Sequence, residues 1–408
     1  MNLSISPEPT ALSVHDTGAR GDGITDDHGA IQRALDGLHH VVVIPSGFYI
    51  LGDTLRIGSS KCLLVHPEAV LRFADGAGRD AGSFLLTNAD HISGNDHIEV
   101  TGGIWDGNNE GNTRGEDGDP EAYTGVAINF VNIRHLRLTD MTVRNPDSFS
   151  IRLGEAQHFT VENIRLDHAV TRPNQDGVHV GGFCEKGYIR NLQAITPNTP
   201  NDDMVALNAD DNVERALNLG MKRGPIRNIH VEGLAAESAY TFVRLLSETH
   251  RIENIRVRDL AGGCRCYTIN MDNWAFPQGS GDIRNIDIKN VRISKVPDAP
   301  SFPLVDIRLR VQDLLIEDLE RVEDCHAAPT LTIDNLTNNT IWLDDVTHEN
   351  LELSSVDAGT IEGVIQPLFQ QDGTQTAQVL IEMYDNSKLV LARGGIKRLS
   401  MNRKSTDG

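Results

Sequence analysis

The stretches 226-IRNIHVEGL-234, 252-IENIRVRDL-260 and 283-IRNIDIKNV-291 share one pattern. Each runs apolar, polar, Asn, and then apolar-polar-apolar, a period of two that marks a strand with one buried face. The pattern recurs at 133-IRHLRLTDMTV-143, 161-VENIRLDHAV-170 and 189-IRNLQAI-195, and more weakly at 95-NDHIEV-100, 311-VQDLLI-316 and 339-NTIWL-343. Strand units repeating without helical periodicity must pair with neighbouring copies, which describes an all-β parallel β-helix. The third position of the clearest copies is His135, Asn163, Asn191, Asn228, Asn254 and Asn285. These six read as one structural column, in which each side chain bonds backbone at a bend and stacks on the next.

The N-terminus differs in kind. In 22-DGITDDHGAIQRALDGL-38, Asp26 or Asp27 can cap a helix, and Ile31, Ala34, Leu35 and Leu38 follow at helical spacing. Strand alternation returns in 39-HHVVVIPSGFYILGDTLRI-57. A helix ahead of a solenoid covers an end that would otherwise expose core and unpaired strand edges. The pattern therefore predicts a single solenoid domain over 1–355, with 12–60 as its cap region. Residues 356–408 read as terminal coils, and 397-KRLSMNRKSTDG-408 as a frayed basic tail.

The chain has 408 residues and a formal charge of −21, which argues against nucleic acid and anionic membranes as partners. No apolar run is long enough to span a bilayer, and 1-MNLSISPEPT-10 lacks the basic and apolar regions of a secretion signal. A cytoplasmic, bacterial-type protein is expected, with homo-oligomerisation left open. Cys62, Cys184, Cys264, Cys266 and Cys325 form no paired CxxC, so they read as buried free thiols. Neither a metal nor another cofactor is expected.

Each coil carries a second strand: 148-SFSIRLG-154, 176-DGVHVG-181, 203-DMVALN-208, 241-TFVRLL-246 and 267-YTINMD-272. If their Ile, Val, Leu and Met positions point inward, Arg152, His179, Ala206, Arg244 and Asn270 form an outward stripe, with neighbours about 4.8 Å apart. Gly154, Gly181, Asn208, Leu246 and Asp272 form a second stripe. Asp176 and Asp203 fall at equivalent strand entrances on adjacent coils, with Asp202 beside them. Carboxylates this close do not ionise independently, and one is expected to titrate high. A protonated carboxyl beside an ionised one suits acid/base chemistry on a glycosidic bond. Asp210 and Asp211 in 208-NADDN-212 read as turn residues.

At this point the sequence resembles known groups. The stretches 16-DTGARGDGITDDHGAIQRALDG-37 and 43-VIPSGFYILGDTLRI-57 resemble the opening of the pectate-lyase-like β-helix superfamily. The stretch 144-RNPDSFSIRLGEAQHFTVENIRLDHAVTRPNQDGVHVGG-182 is similar to glycoside hydrolase family 28, the polygalacturonase and rhamnogalacturonase group. The resemblance implies a right-handed β-helix and an inverting hydrolase without cofactor. The family's Asn-Thr-Asp and Asp-Asp motifs match 174-NQD-176 and 201-NDD-203. By resemblance Asp202 is the general acid, and Asp176 with Asp203 activates a water.

Two family motifs are altered. The Gly-His-Gly position falls at 240-YTF-242, placing Thr241 where the histidine would be, and Arg-Ile-Lys falls at 270-NMD-272. The expected substrate is therefore an oligo- or polysaccharide other than standard homogalacturonan. Candidate sugar contacts are Arg152, Asn174, His179, Asn208, Thr241, Arg244, Asn270, Asp272 and Trp274. The polar segment 105-WDGNNEGNTRGEDGDPEAYTG-125 reads as a loop beside the groove. Two alternatives are a lyase or transferase on the same scaffold, with Arg244 or His179 as base and calcium on the aspartates, and a non-catalytic glycan-binding β-helix.

Overall fold

The computed structural model describes residues 11–272, 276–277, 279–322, 324–334, 339–346, 350–355, 362–369, 375–383 and 387–403. The strands up to Leu331–Asp334 pair in parallel with counterparts on neighbouring coils, as a parallel β-helix requires. The interior is a set of stacked apolar ladders. One runs Ile128, Ile151, Val178, Val205, Val243, Ile269, Val305 and Leu331, in direct register and closed to solvent. Full burial of each such side chain is worth about 1.5–3 kcal/mol, so the ladder is a main source of cohesion between coils.

The bends explain the repeat and correct its alignment. Among the described residues, eight coils have two residues with left-handed backbone flanking a four-residue strand: His97 and Gly102, His135 and Asp140, His158 and Asn163, Lys186 and Asn191, Asn228 and Gly233, Asn254 and Asp259, Asn285 and Asn290, Asp313 and Asp318. Strand register places His97, His135, His158, Lys186, Asn228, Asn254, Asn285 and Asp313 on one corner. Gly102, Asp140, Asn163, Asn191, Gly233, Asp259, Asn290 and Asp318 line the other. The single column expected from the sequence is thus two. Both corners carry the same signature, apolar-polar-bend-apolar, because each follows an inward residue and precedes the next, so pattern matching cannot tell them apart. Asn and Asp fit these positions because their short polar side chains tolerate positive φ. The amides do link adjacent coils: Asn254 Nδ2 donates to Asn228 Oδ1 at 3.0 Å and Asn285 Nδ2 to Asn254 Oδ1 at 2.7 Å. On the second corner Asn191 donates to Asn163 at 3.0 Å.

The predicted helix spans His28–Asp36, with Asp27 at the N-cap position. The Asp27 carboxylate, however, accepts from the Arg20 and Gly21 amides, while Asp26 accepts from the His28 amide at 3.0 Å and the Gly52 amide at 2.9 Å. Ile31, Ala34 and Leu35 are buried; Leu38 lies past the helix end and is fully exposed, so it is not part of the packed face. Gln32 donates to the Arg56 carbonyl and accepts from the Arg56 amide, both at 2.9 Å. A side-chain amide thereby satisfies the open edge of the strand Leu55–Ile57.

Of the stretch expected as a frayed tail, residues 397–403 are in a strand, and 404–408 lie outside the described residues. Ile396–Arg403 is a strand that runs antiparallel to Val311–Arg321, and Ser387–Leu391 runs antiparallel to Leu331–Asp334. Ile396, Leu399 and Met401 are buried, while Lys397 and Arg398 pair with Asp318 and Glu317. The basic character of this stretch is therefore a match to an acidic strand. Cys184, Cys264 and Cys266 are buried free thiols, but Cys62 is half-buried and Cys325 exposed. No helix among the described residues is long and apolar enough to cross a membrane.

Candidate active site

The second strands align as their alternation requires. Arg152, His179, Ala206, Arg244, Asn270 and Asp306 occupy one continuous register on consecutive coils. With Val178 opposite Val205, the two strand entrances bring Asp176 and Asp203 together: the Asp203 amide lies 3.4 Å from Asp176 Oδ1, and the Gly177 amide donates to the Asp203 carbonyl at 2.8 Å. Asp176, Asp202 and Asp203 each offer a carboxylate oxygen within 4.8 Å of the others. Asp176 and Asp203 are almost fully buried, whereas Asp202 is partly exposed. Asn174, itself at a left-handed bend, donates to Asp202 Oδ2 at 3.2 Å.

Two cations neutralise this cluster. Arg244 Nε lies 2.8 Å from Asp203, and its Nη2 lies 3.5 Å from Asp202. His179 is sandwiched between Asp176, 2.7 Å from Nδ1, and Asp211, 2.9 Å from Nε2, and stacks on Phe149 with ring centroids 4.0 Å apart. Burial alone would strip the imidazole of its second proton; Asp211 and Asp176 overcome that and push it up to about 10. Burial pushes Asp176 up to about 6, against the opposing His179 bond. Burial likewise drives Asp203 well above the ordinary carboxylate value despite Arg244. The Arg244 guanidinium, though buried, is held more firmly protonated by Asp203 and Asp202. Asp176 and Asp203 are thus both held above the ordinary carboxylate range within one enclosed cluster.

Of the other candidates, several lie elsewhere than expected. Arg152 does not face the groove: Nη1 donates to the Leu217 carbonyl at 2.6 Å, Nε to Asn129 at 2.9 Å, and the guanidinium stacks over Phe84. The turn Ala216–Asn218 folds across the outward stripe and covers Arg152, and burial lowers the guanidinium's proton affinity to about 10. His179, Thr241 and Asn270 are buried as well. Asn208, half-buried, donates to Asp211 at 2.6 Å, and Asp272 lies 3.9 Å from Arg308. Trp274 falls outside the described residues.

Three residues at the site lie outside the candidates that strand alternation supplies. Asp211 is no turn residue but the second anchor of His179, receiving bonds from Asn208 and Asn218 too. Its neighbour Asp210 does serve a turn, accepting the Glu248, Thr249 and His250 amides. Arg114, from the loop after Trp105, donates to Asn174 Oδ1 at 3.0 Å, and Arg215 reaches the same oxygen at 3.3 Å while pairing with Asp117. The long loop therefore does lie beside the carboxylates, and its only legible signal was its length. As for metals, the three aspartates could offer oxygens to a hard cation, but Arg244 already holds two of them.

The chain can now be set beside known proteins. A probable polygalacturonase of Arabidopsis thaliana is 24% identical over 306 residues, 72% of this chain; the chain spans only 61% of that relative's length. The Yersinia enterocolitica family 28 exopolygalacturonase superposes with a TM-score of 0.51 at 17% identity, covering 76% of this chain and 72% of that one. The N-terminal fragment of bacteriophage phi29 gene product 12 gives 0.53 at 18% identity, covering 75% and 53%. At such identities the superpositions establish the β-helix alone. The sequence goes further, since the model of the rhamnogalacturonase A/epimerase, pectate-lyase-like family matches residues 11–265. The chain belongs to that family.

Proposed function

We propose that this protein is a glycoside hydrolase that cleaves an oligo- or polysaccharide with inversion, using Asp202 as general acid and Asp176 with Asp203 to activate water. The observation that carries this reading is the contrast in exposure within one cluster. Asp202 is the most exposed of the three, with 19% of its side chain accessible against 4% for Asp176 and 5% for Asp203. Asp176 and Asp203 are too enclosed for a bulky anomeric carbon to approach them, so they act through a water small enough to reach them. That point bears on the stereochemical outcome. The carboxylate oxygens, within 4.8 Å, are closer than the roughly 6.5–9.5 Å of two-carboxylate inverting sites and nearer the roughly 5–5.5 Å of retaining ones. Direct nucleophilic attack by a carboxylate this buried is sterically blocked, which favours inversion. His179 keeps Asp176 oriented from behind, and Arg244 does the same for Asp203.

A lyase reading is less favoured, because Arg244 and His179, its candidate bases, are already engaged by carboxylates, Arg244 at 2.8 Å from Asp203 and His179 at 2.7 and 2.9 Å from Asp176 and Asp211. The non-catalytic reading keeps one supporting feature, the Arg244 guanidinium seated on Asp203 and Asp202.

The deciding experiment is a glycan panel assayed for new reducing ends, with proton NMR of the first-formed anomer. Asp202→Asn is expected to lower kcat by at least about a thousandfold, a loss at the level of an essential catalytic group. Inverted product from the native chain supports the scheme; retained configuration, or full activity in Asp202→Asn, refutes it. Glycan binding with no cleavage would instead establish the binding-only reading.

A further inference from the structure

On the first corner of the β-helix, three consecutive coils depart from the residues seen further along. Where later coils place Asn228, Asn254 and Asn285, these carry His97, His135 and His158, all with positive φ. The rings are stacked in sequence: His97 on His135 with centroids 4.4 Å apart, and His135 on His158 at 5.1 Å. Asp96, which precedes the first bend, reaches into this stack. Its Oδ1 lies 2.9 Å from His97 Nδ1 and 2.7 Å from His135 Nδ1. One oxygen and two imidazole nitrogens from adjacent coils thus converge, with all three atoms within 4.8 Å of one another.

We propose that Asp96, His97 and His135 form a binding site for a divalent transition-metal ion of the zinc class. Two imidazoles and one carboxylate make a borderline donor set that suits zinc and its neighbours better than calcium or magnesium, which prefer oxygen. Zinc–nitrogen and zinc–oxygen bonds of about 2.0–2.2 Å in a tetrahedron separate ligands by a little over 3 Å. The present 2.7 and 2.9 Å spacings need to open by only about half an ångström. The side chains can yield, because His97 is largely exposed and Asp96 about half so. In the metal-free state Asp96 Oδ1 lies against both Nδ1 atoms; in the metal-bound state each neutral ring carries its proton on Nε2 and offers its Nδ1 lone pair to the ion. The fourth position faces solvent and takes water. His158 is the packing support behind His135 and is not counted as a ligand.

The role of such an ion follows from where the ligands sit. Asp96 and His97 belong to the strand Asn95–Thr101 and His135 to Ile128–Thr139, which pair in parallel. Binding therefore clips two coils together. This site lies apart from the acid cluster, and the proposal does not depend on the hydrolase reading.

The test uses the full chain with Cys325→Ser, which removes an exposed thiol that could take zinc by itself. Titration with zinc chloride, followed by calorimetry and thermal unfolding, is expected to show one ion per chain and a rise in Tm. The His97→Asn/His135→Asn double variant substitutes the residue this corner carries at 228, 254 and 285, so it should keep its circular dichroism. It is expected to bind zinc at least tenfold more weakly and lose the rise in Tm. Equal zinc affinity in the double variant, or no saturable binding by the otherwise native chain, overturns the proposal and leaves the stack as a purely structural ladder.

Discussion

Asp306 continues the outward stripe beyond Asn270, yet its side chain is closed to solvent and rests against Arg308 at 3.1 Å. Burial, opposed by Arg308, raises its carboxyl from 3.8 to about 6. Between those values the folded chain binds this proton more tightly than the unfolded chain, so its contribution to stability is present at low pH and lost as pH rises through about 6. Each pH unit separating the folded and unfolded titrations is worth about 1.4 kcal/mol. Asp306→Asn should then stabilise the protein at pH near 7.5 by up to about 3 kcal/mol, and change little at pH near 4. Urea unfolding at both values checks this, and an equal effect at each would contradict it. At the same scale, Asp176, Asp202 and Asp203 were legible because period-two alternation fixes which residues share a face on adjacent coils. Asp211, Arg114 and the burial of Arg152 were not, because each depends on a loop closing across the stripe. Loop closure leaves no periodic trace.

At the scale of the element, the left-handed bend is the repeating part. Asn254 has φ of 58° and bonds both Asn228 and Asn285. Asn254→Ala should cost roughly 1–3 kcal/mol, combining the unfavourable backbone region with a lost amide link. Asn254→Gly should cost less, since glycine accepts the bend and only the link is lost. Chemical denaturation of the two variants ranks them, and an Ala variant as stable as Gly would remove the bend from the explanation. The strand type and its inward face were plain in the sequence. Which corner each Asn occupied was not, since both corners present the same local pattern and only pairing register separates them.

At the scale of the molecule, the two ends of the solenoid carry different elements, a helix near one and antiparallel strands at the other. Ending the chain after Met383 would remove Ser387–Leu391 and Ile396–Arg403, baring the backbone edge of Val311–Arg321 and the apolar residues beneath. Such an edge is a template for association, so light scattering should show oligomers or aggregates at concentrations where the full chain stays dispersed. A shortened chain that remained as dispersed and as stable would show that these strands are dispensable. The solenoid itself was evident from the repeat, whereas the antiparallel closure was hidden because it occurs once.

The paired bends also act as a ruler. In eight coils among the described residues four residues separate the two corners, so a residue added or removed there would throw the next strand's inward and outward faces out of phase. The opposite side of the coil obeys no such count, as the long loop after Trp105 and the turn over Arg152 demonstrate. Changes of chain length are therefore confined to the side that bears the carboxylates. Grafting loops of different length there should alter which molecules reach Asp202 while the scaffold beneath keeps its measure.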